Sequence, residues 1–325
     1  MGSIITISIV QSALELGFIY ALVALALFIS FSILNIADLS TDGCFTLGCA
    51  VCASVTIAGH PVLALFAAMA AGVCSGYVTA FLQTKMGIQS ILAGIIVNTG
   101  LYTINIAVMG FASNLNLFNC DSLFTWAKTV IPGGWYKLVI VAIVVIIIGI
   151  LVSLFLNTRL GLSIRATGDN PDMVRASSIN TGMMITIGLC VANALTALSG
   201  GLLAQYQKSC DINLGTGTVT IALASLIIGE TLIGKGSMIK RIAGVILGSC
   251  LYRFIVAVAL RLNVPAECLK LVSALIVAVA IAFPYLRDKV KFYNKRRATR
   301  EQNQIYIKEL MADVNTGNGG NRNDE

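Results

Sequence analysis

Long, nearly uncharged apolar runs recur along the chain at 16–34, 43–58, 61–82, 87–109, 136–156, 183–206, 216–233, 242–260 and 265–286, and no other feature narrows its possible folds so far. A hydrocarbon core of about 30 Å needs roughly 20 apolar residues per helical crossing, so these runs supply about nine crossings. With 57% hydrophobic and 11% charged residues in 325, a water-soluble domain would have too little polar surface to show its solvent. The solvent is therefore lipid. Inside it every backbone amide needs an internal partner, and the runs are too long and too uniformly apolar for the alternating pattern of a barrel strand. The expected class is all-α, a polytopic transmembrane bundle of about 8–10 spans occupying residues 1–286. The run at 43–58 is the shortest and follows the polar stretch 35–42, so a broken or re-entrant helix is open there. Met1 to Val10 carry no Lys or Arg and no small-x-small cleavage site follows, so a retained N-terminus is expected, and residues 4–14 are open to forming a helix of their own.

Basic residues orient the bundle. If the segment after Leu286 is cytoplasmic, sixteen of the 22 Lys and Arg fall inside, including Lys85, Arg159, Arg165, Arg175, Lys240 and Arg241. Lys128, Lys137, Lys208 and Arg261 fall outside, and Arg253 and Lys270 lie within spans. The expected location is thus a plasma membrane with the C-terminus in the cytoplasm. Residues 287–325 begin basic, with Lys289, Lys291, Lys295, Arg296 and Arg297, then turn to Asn, Gly and acids, a composition expected to be largely disordered. The basic cluster reads as a positive-inside flank beside membrane lipid, and the net charge of +7 gives no argument for nucleic acid.

Nine cysteines and one histidine raise the question of metal chemistry. Cys49 and Cys52 have C-x-x-C spacing, but they sit in a run of small apolar residues with no second pair and no nearby histidine, so helix packing is the expected role. Cys120, Cys210 and Cys268 are expected at the outer face, where a disulfide is open. His60, before Pro61, reads as a turn residue, and one histidine cannot supply H-E-x-x-H. Neither a metal nor a catalytic group is expected.

The most informative stretch is the loop 157–182, NTRLGLSIRATGDNPDMVRASSINTG, expected on the cytoplasmic side. Gly161 is expected to end the preceding span and Gly168 to make a sharp turn. Asn170 or Asp169 can cap a short helix, Pro171 suits its first position and Asp172 complements its dipole. Asn180 and Gly182 are expected to stop it. Met173, Val174, Ala176 and Ile179 offer an apolar face beside Arg165 and Arg175, suited to a soluble partner.

The pattern R-A-T-G-D-N-P-x-x-x-R-A-S-x-I-N in this loop resembles the coupling segment of bacterial ATP-driven import permeases for branched-chain amino acids, ribose-type sugars and nucleosides, a likeness that extends to about Leu286. The stretch 35–48, NIADLSTDGCFTLG, is similar to the turn after that family's first span but lacks its acidic residue after a histidine, which points to a subgroup. The stretch 249–284, SCLYRFIVAVALRLNVPAECLKLVSALIVAVAIAFP, resembles permeases grouped with tryptophan- and tyrosine-type import. The resemblance implies that the segment carried here by Gly168, Asn170, Pro171 and Ala176, with Arg165 and Arg175 beside it as further coupling residues, docks on a separate ATPase holding ATP and Mg, that a second permease copy or homologue completes the pore, and that an extracytoplasmic binding protein or lipoprotein delivers the solute, for which the second likeness sets an amino acid. A sugar or nucleoside solute is the alternative within the family.

ATP hydrolysis by this chain is not expected. Gly229 to Lys235 fits G-x-x-x-x-G-K, yet Gly236 stands where Ser or Thr should hold magnesium, and the motif closes an apolar span instead of joining a strand to a helix. A self-sufficient secondary transporter is the rival class, but it would place acidic residues near the midplane, and Glu230 lies near the end of its span. Polar residues inside spans are candidates for the solute path or for interhelical hydrogen bonds: Asn98 and Asn105 on one helix face with Thr99 beside them, then Asn193 with Thr196, Glu230 and Arg253. Arg253 lies near mid-span, where an unpaired charge costs on the order of 3 kcal/mol, so Glu230 on the preceding helix is its expected partner and a solute carboxylate the alternative.

Overall fold

A computed structural model of the chain describes residues 7–118, 120–130, 134–234 and 236–261, with scattered positions between 271 and 311. Its elements, mainly α-helices with one short pair of strands, are in order α1 (Ile7–Leu27), a π-helical turn (Phe28–Ile33), α2 (Thr41–Ile57), α3 (Pro61–Thr84), α4 (Ser90–Val108), β1 (Asn114–Asn116), α5 (Leu123–Val130), α6 (Tyr136–Asn157), α7 (Arg159–Asp169), α8 (Pro171–Ala176), α9 (Thr181–Gln207), β2 (Ser209–Asp211), α10 (Thr218–Ile233) and α11 (Met238–Arg261). Eight of the nine expected runs thus lie on helices, six of them long and apolar enough to cross a membrane. The run at 265–286 lies largely outside the described residues. Contacts divide the chain at Val277, and in the second unit the described positions are helical and exposed up to Met311. Most of the expected disordered stretch lies outside the described residues.

The described part of 4–14 forms no separate helix, because α1 runs unbroken from Ile7. It ends in the wide π turn, and Asn35 then takes a left-handed conformation (φ 56°) that releases the chain from helical geometry. Residues 34–40 continue into the bundle, where Ile36, Asp38 and Ser40 are buried. Only then does α2 start, a single continuous helix of 17 residues, shorter than the six long apolar helices. Its counterpart α10 has 16 residues and also begins inside the bundle, after the β1–β2 pairing (Asn114 opposite Asp211, Leu115 opposite Cys210, Asn116 opposite Ser209) and a turn through Gly217.

Small residues bring the central helices together. An added Cβ at Gly48 or Gly200 would meet the backbone of Ala197 or Phe45 across the α2–α9 contact, and one at Gly72 would meet Asn193 across α3–α9. The thiols of Cys44 and Cys49 donate to the carbonyls of Asn193 (3.3 Å) and Gly200 (3.0 Å), and Gln205 Nε2 donates to Cys52 Sγ (3.4 Å), so the C-x-x-C pair lies within this helix contact. Ser199 and Ser249 each donate to a carbonyl of α1, those of Ile19 (2.6 Å) and Gly17 (2.7 Å). The largest fully buried side chains, among them Phe28, Phe45, Leu22, Leu25 and Tyr252, fill the space around α1 and α9.

Candidate functional site

The loop 157–182 folds as two helices. Thr158 caps α7 by accepting from Gly161 N (3.2 Å), Asn170 caps α8 by accepting from Met173 N (3.1 Å), and Asn180 caps α9 by accepting from Met183 N (3.1 Å). Pro171 is the first residue of α8, as expected, with Asp172 in its first turn. Three expectations are corrected. Gly161 lies in the first turn of α7 and does not end the preceding span; Asn180 and Gly182 open α9 and do not stop α8; and Gly168 is helical, so it makes no turn. The role of Gly168 is close approach, because a Cβ there would collide with the carbonyl of Ile33 in the π turn. Val174 is buried and anchors α8, whereas Pro171, Met173, Arg175 and Ala176 are exposed and Arg165 is half-buried. Arg175 donates to Thr181 Oγ1 (3.2 Å) and lies 3.5 Å from Asp172. With Leu160 and Leu162 also exposed, this end presents an apolar and basic surface on a capped frame.

Beside the π turn on which that frame rests lies a three-element polar cluster. Arg241 Nη2 of α11 donates to Glu230 Oε1 of α10 (2.6 Å) and to Ser32 Oγ in the π turn (2.8 Å), and Ser32 donates to Glu230 (2.7 Å). The Arg241 guanidinium also covers the Phe28 ring at 4.8 Å. The expected Glu230–Arg253 pair is therefore corrected. α10 and α11 are joined by a short turn and run antiparallel, so Glu230 meets the start of α11, and Arg253 is twelve residues further along, about 18 Å at 1.5 Å per residue. Arg253 instead lies over Tyr20 of α1, with its guanidinium carbon 3.6 Å from the ring centre. Asn193 also has a fixed partner: its Nδ2 donates to Asp38 (3.1 Å), whose other oxygen accepts from Ser40 N (2.8 Å) and Ser40 Oγ (2.6 Å). Thr196 is buried and donates back to Ala192 (3.2 Å).

Asn98, Thr99 and Asn105 do converge. With Asp42, Thr46, Tyr102, Thr103, Asn213 and Thr216 they line one cleft of about 420 Å³ between α4 and the facing ends of α2 and α10. Asn105 is buried and donates to Gly43 O (3.1 Å), while its Oδ1 has no hydrogen-bond partner. Thr99 donates to its own helix at Ile95 (2.9 Å). The floor of the cleft is held by Asp42, which accepts from Gly217 N (2.9 Å), Thr218 Oγ1 (2.8 Å) and Val219 N (2.9 Å). A carboxylate on one short helix thus caps the other, which complements the positive end of the α10 dipole inside a low-dielectric bundle. Gly217, at φ 88°, supplies the left-handed residue that turns the chain into α10. Sequence reasoning does not single out Ser32, Asp42 or Arg241 as site residues; for Asp42 the available signal is the polar interruption at 35–42.

Residues 9–283 match the family described as branched-chain amino acid transport system, permease component. The chain is 36% identical to a tyrosine transport system permease protein of Clostridioides difficile (strain R20291), over 88% of this chain and 94% of that one. It is 27% identical to the ribose import permease protein of Escherichia coli (strain K12), over 75% of each. Against an autoinducer 2 import system permease protein of Yersinia pseudotuberculosis (strain IP 31758) the identity is 24%, over 73% of this chain and 65% of that one.

Proposed function

We propose that this chain, which belongs to the permease family of branched-chain amino acid transport systems, carries an amino acid with an aromatic or branched side chain across the membrane, driven by ATP hydrolysed on a separate subunit. The similarity to a tyrosine transport permease supports the solute class. The observation that carries the coupling is the capped α7–α8 frame, which holds Met173, Arg175 and Ala176 outward while Gly168 rests on the Ile33 carbonyl. A push on the frame reaches the π turn, and through Ser32 it reaches Glu230 and Arg241 on α10 and α11. Asn98, Thr99 and Asn105 then lie along the solute path, and Glu230 belongs to the coupling machinery. The α7–α8 end faces the cytoplasm in this reading, with a second permease copy or homologue against the cleft and a binding protein or lipoprotein at the end that carries β1 and β2. ATP and Mg are held by the partner ATPase, and this chain binds no cofactor of its own.

The test is uptake of labelled L-tyrosine into vesicles containing the permease with its ATPase and binding protein. ATP-dependent accumulation is expected, and it should vanish when Asn170 and Pro171 are both changed to Ala and the ATPase no longer copurifies. Accumulation driven by an ion gradient without ATP would replace this reading with the secondary-transporter one, and uptake of ribose in preference to amino acids would move the solute class.

A further inference from the structure

Tyr20 of α1, Tyr252 and Arg253 of α11, and Thr216, Thr218 and Thr220 at and just before the start of α10 line a half-open cavity of about 410 Å³. Two of its polar side chains carry donors without an acceptor. Tyr252 is wholly buried and its hydroxyl has no hydrogen-bond partner; Arg253 Nε is buried and likewise unpartnered. No carboxylate among the described residues pairs with Arg253, and the described acids Glu15 of α1, Asp42 of α2 and Glu230 of α10 are committed elsewhere. Glu15 accepts from Gln11 (2.9 Å) and Tyr206 (2.7 Å), Asp42 holds the first amides of α10, and Glu230 holds Arg241.

The guanidinium is also aimed. Tyr20 fixes one face of it and is itself stacked on Phe45 at 5.8 Å, so the plane is set and the N–H edge remains for a partner. A planar edge of donors matches a planar carboxylate, and a buried hydroxyl without a partner indicates where a further acceptor belongs. The volume suits an amino-acid-sized solute, with Leu214, Ile221 and Val256 as apolar wall beside the polar groups.

We propose that this cavity is an oxyanion subsite that takes the carboxylate of the transported solute, with Arg253 as its charged contact and Tyr252 as its second donor. The assignment rests on the amino-acid reading above for its solute, though not for its chemistry. A phosphate of an anionic lipid would use the same donors, and the lipid arm of the test below separates the two sources.

Two measurements test it. In phosphatidylcholine nanodiscs, the melting temperature of the purified permease is followed with 4-hydroxyphenylacetate and with 4-hydroxyphenylacetamide, which differ only in the charged oxygen. The acid should raise it and the amide should not; Tyr252→Phe should shrink the rise, Arg253→Met should remove it and Arg253→Lys should keep part of it. In the complete transporter, Arg253→Met should lower L-tyrosine uptake more than tenfold. Equal responses to acid and amide, or an acid response that survives Arg253→Met, would overturn the subsite. Loss of the acid response when phosphatidylglycerol is added would give the cavity to a lipid headgroup and overturn the solute assignment. An acid-specific response that depends on Arg253, together with no L-tyrosine uptake by the unaltered transporter, would uphold the subsite and remove tyrosine as the solute.

Discussion

Helices α9 and α4 are both apolar enough to cross a membrane, yet α9 is buried along 83% of its most apolar stretch and α4 along only 28%. α9 carries Gly188, Ala192, Ala197, Ser199, Gly200, Gly201 and Ala204 around its circumference, so neighbours approach it from several sides. α4 buries a single strip of Ala93, Gly94, Val97, Leu101 and Asn105, and leaves Tyr102 and Thr103 exposed. Hydropathy tells that each segment leaves water. It is the placement of small residues that tells which one leaves lipid as well.

The sharpest way to break this contrast is a pair of glycine substitutions. Gly200→Leu puts a side chain into the backbone of Phe45 and should cost on the order of 3 kcal/mol or prevent assembly. Gly100→Leu on α4 adds a side chain where nothing lies within 4 Å and should leave stability unchanged or raise it by up to about 1 kcal/mol, through the better helix propensity of leucine. Size-exclusion profiles and melting temperatures compare the two, and equal losses would refute the packing distinction. Next in size is Glu230→Gln. It strands the Arg241 guanidinium, and because the two side chains are 20% and 15% exposed the loss should be about 2 kcal/mol, below the value for a fully buried pair. Adding Arg241→Met should recover much of it in the same melting assay, whereas additive losses would show that the two groups act apart.

Asn170→Ala should remove about 1 kcal/mol from the start of α8 and leave the membrane helices intact, visible as faster proteolysis at residues 171–176 with an unchanged melting temperature. The smallest stability change belongs to Tyr102→Phe with Thr103→Val, which deletes two hydroxyls from the exposed face of α4. Stability should hold within about 0.5 kcal/mol while uptake falls several-fold. Undiminished uptake would show that the cleft beside α4 is not the solute path.

Helix positions are legible in the sequence because each is written locally, as an apolar run bounded by a cap or a polar break. The capping pair Asn170 and Pro171 is legible for the same reason. Asn180 misleads because an Asn between two helices suits a stop as well as a start, and only the bond to Met183 N decides. Gly168 misleads because glycine signals either left-handed backbone or close approach, and the second depends on a residue far away in the chain, Ile33. The partners of Arg253 and Glu230 are out of reach for a related reason: α10 and α11 meet as a hairpin whose register is set by the short turn between them, so nearness in sequence order does not give nearness in depth. Asp42 does leave a local trace, as an acid beside glycine at the start of an unusually short span.

The wide turn at Phe28–Ile33 has a geometric consequence. A π turn holds one residue more than an α turn, so α1 carries a stored dislocation between its deeply buried shaft and the carbonyl on which Gly168 rests. Annealing that dislocation would lengthen the helix by about 1.5 Å and rotate its end by about 100°. Ser32 would swing with it, so under the proposed coupling a short thrust on the α7–α8 frame would become a screw motion delivered to Glu230 and Arg241 on two other helices.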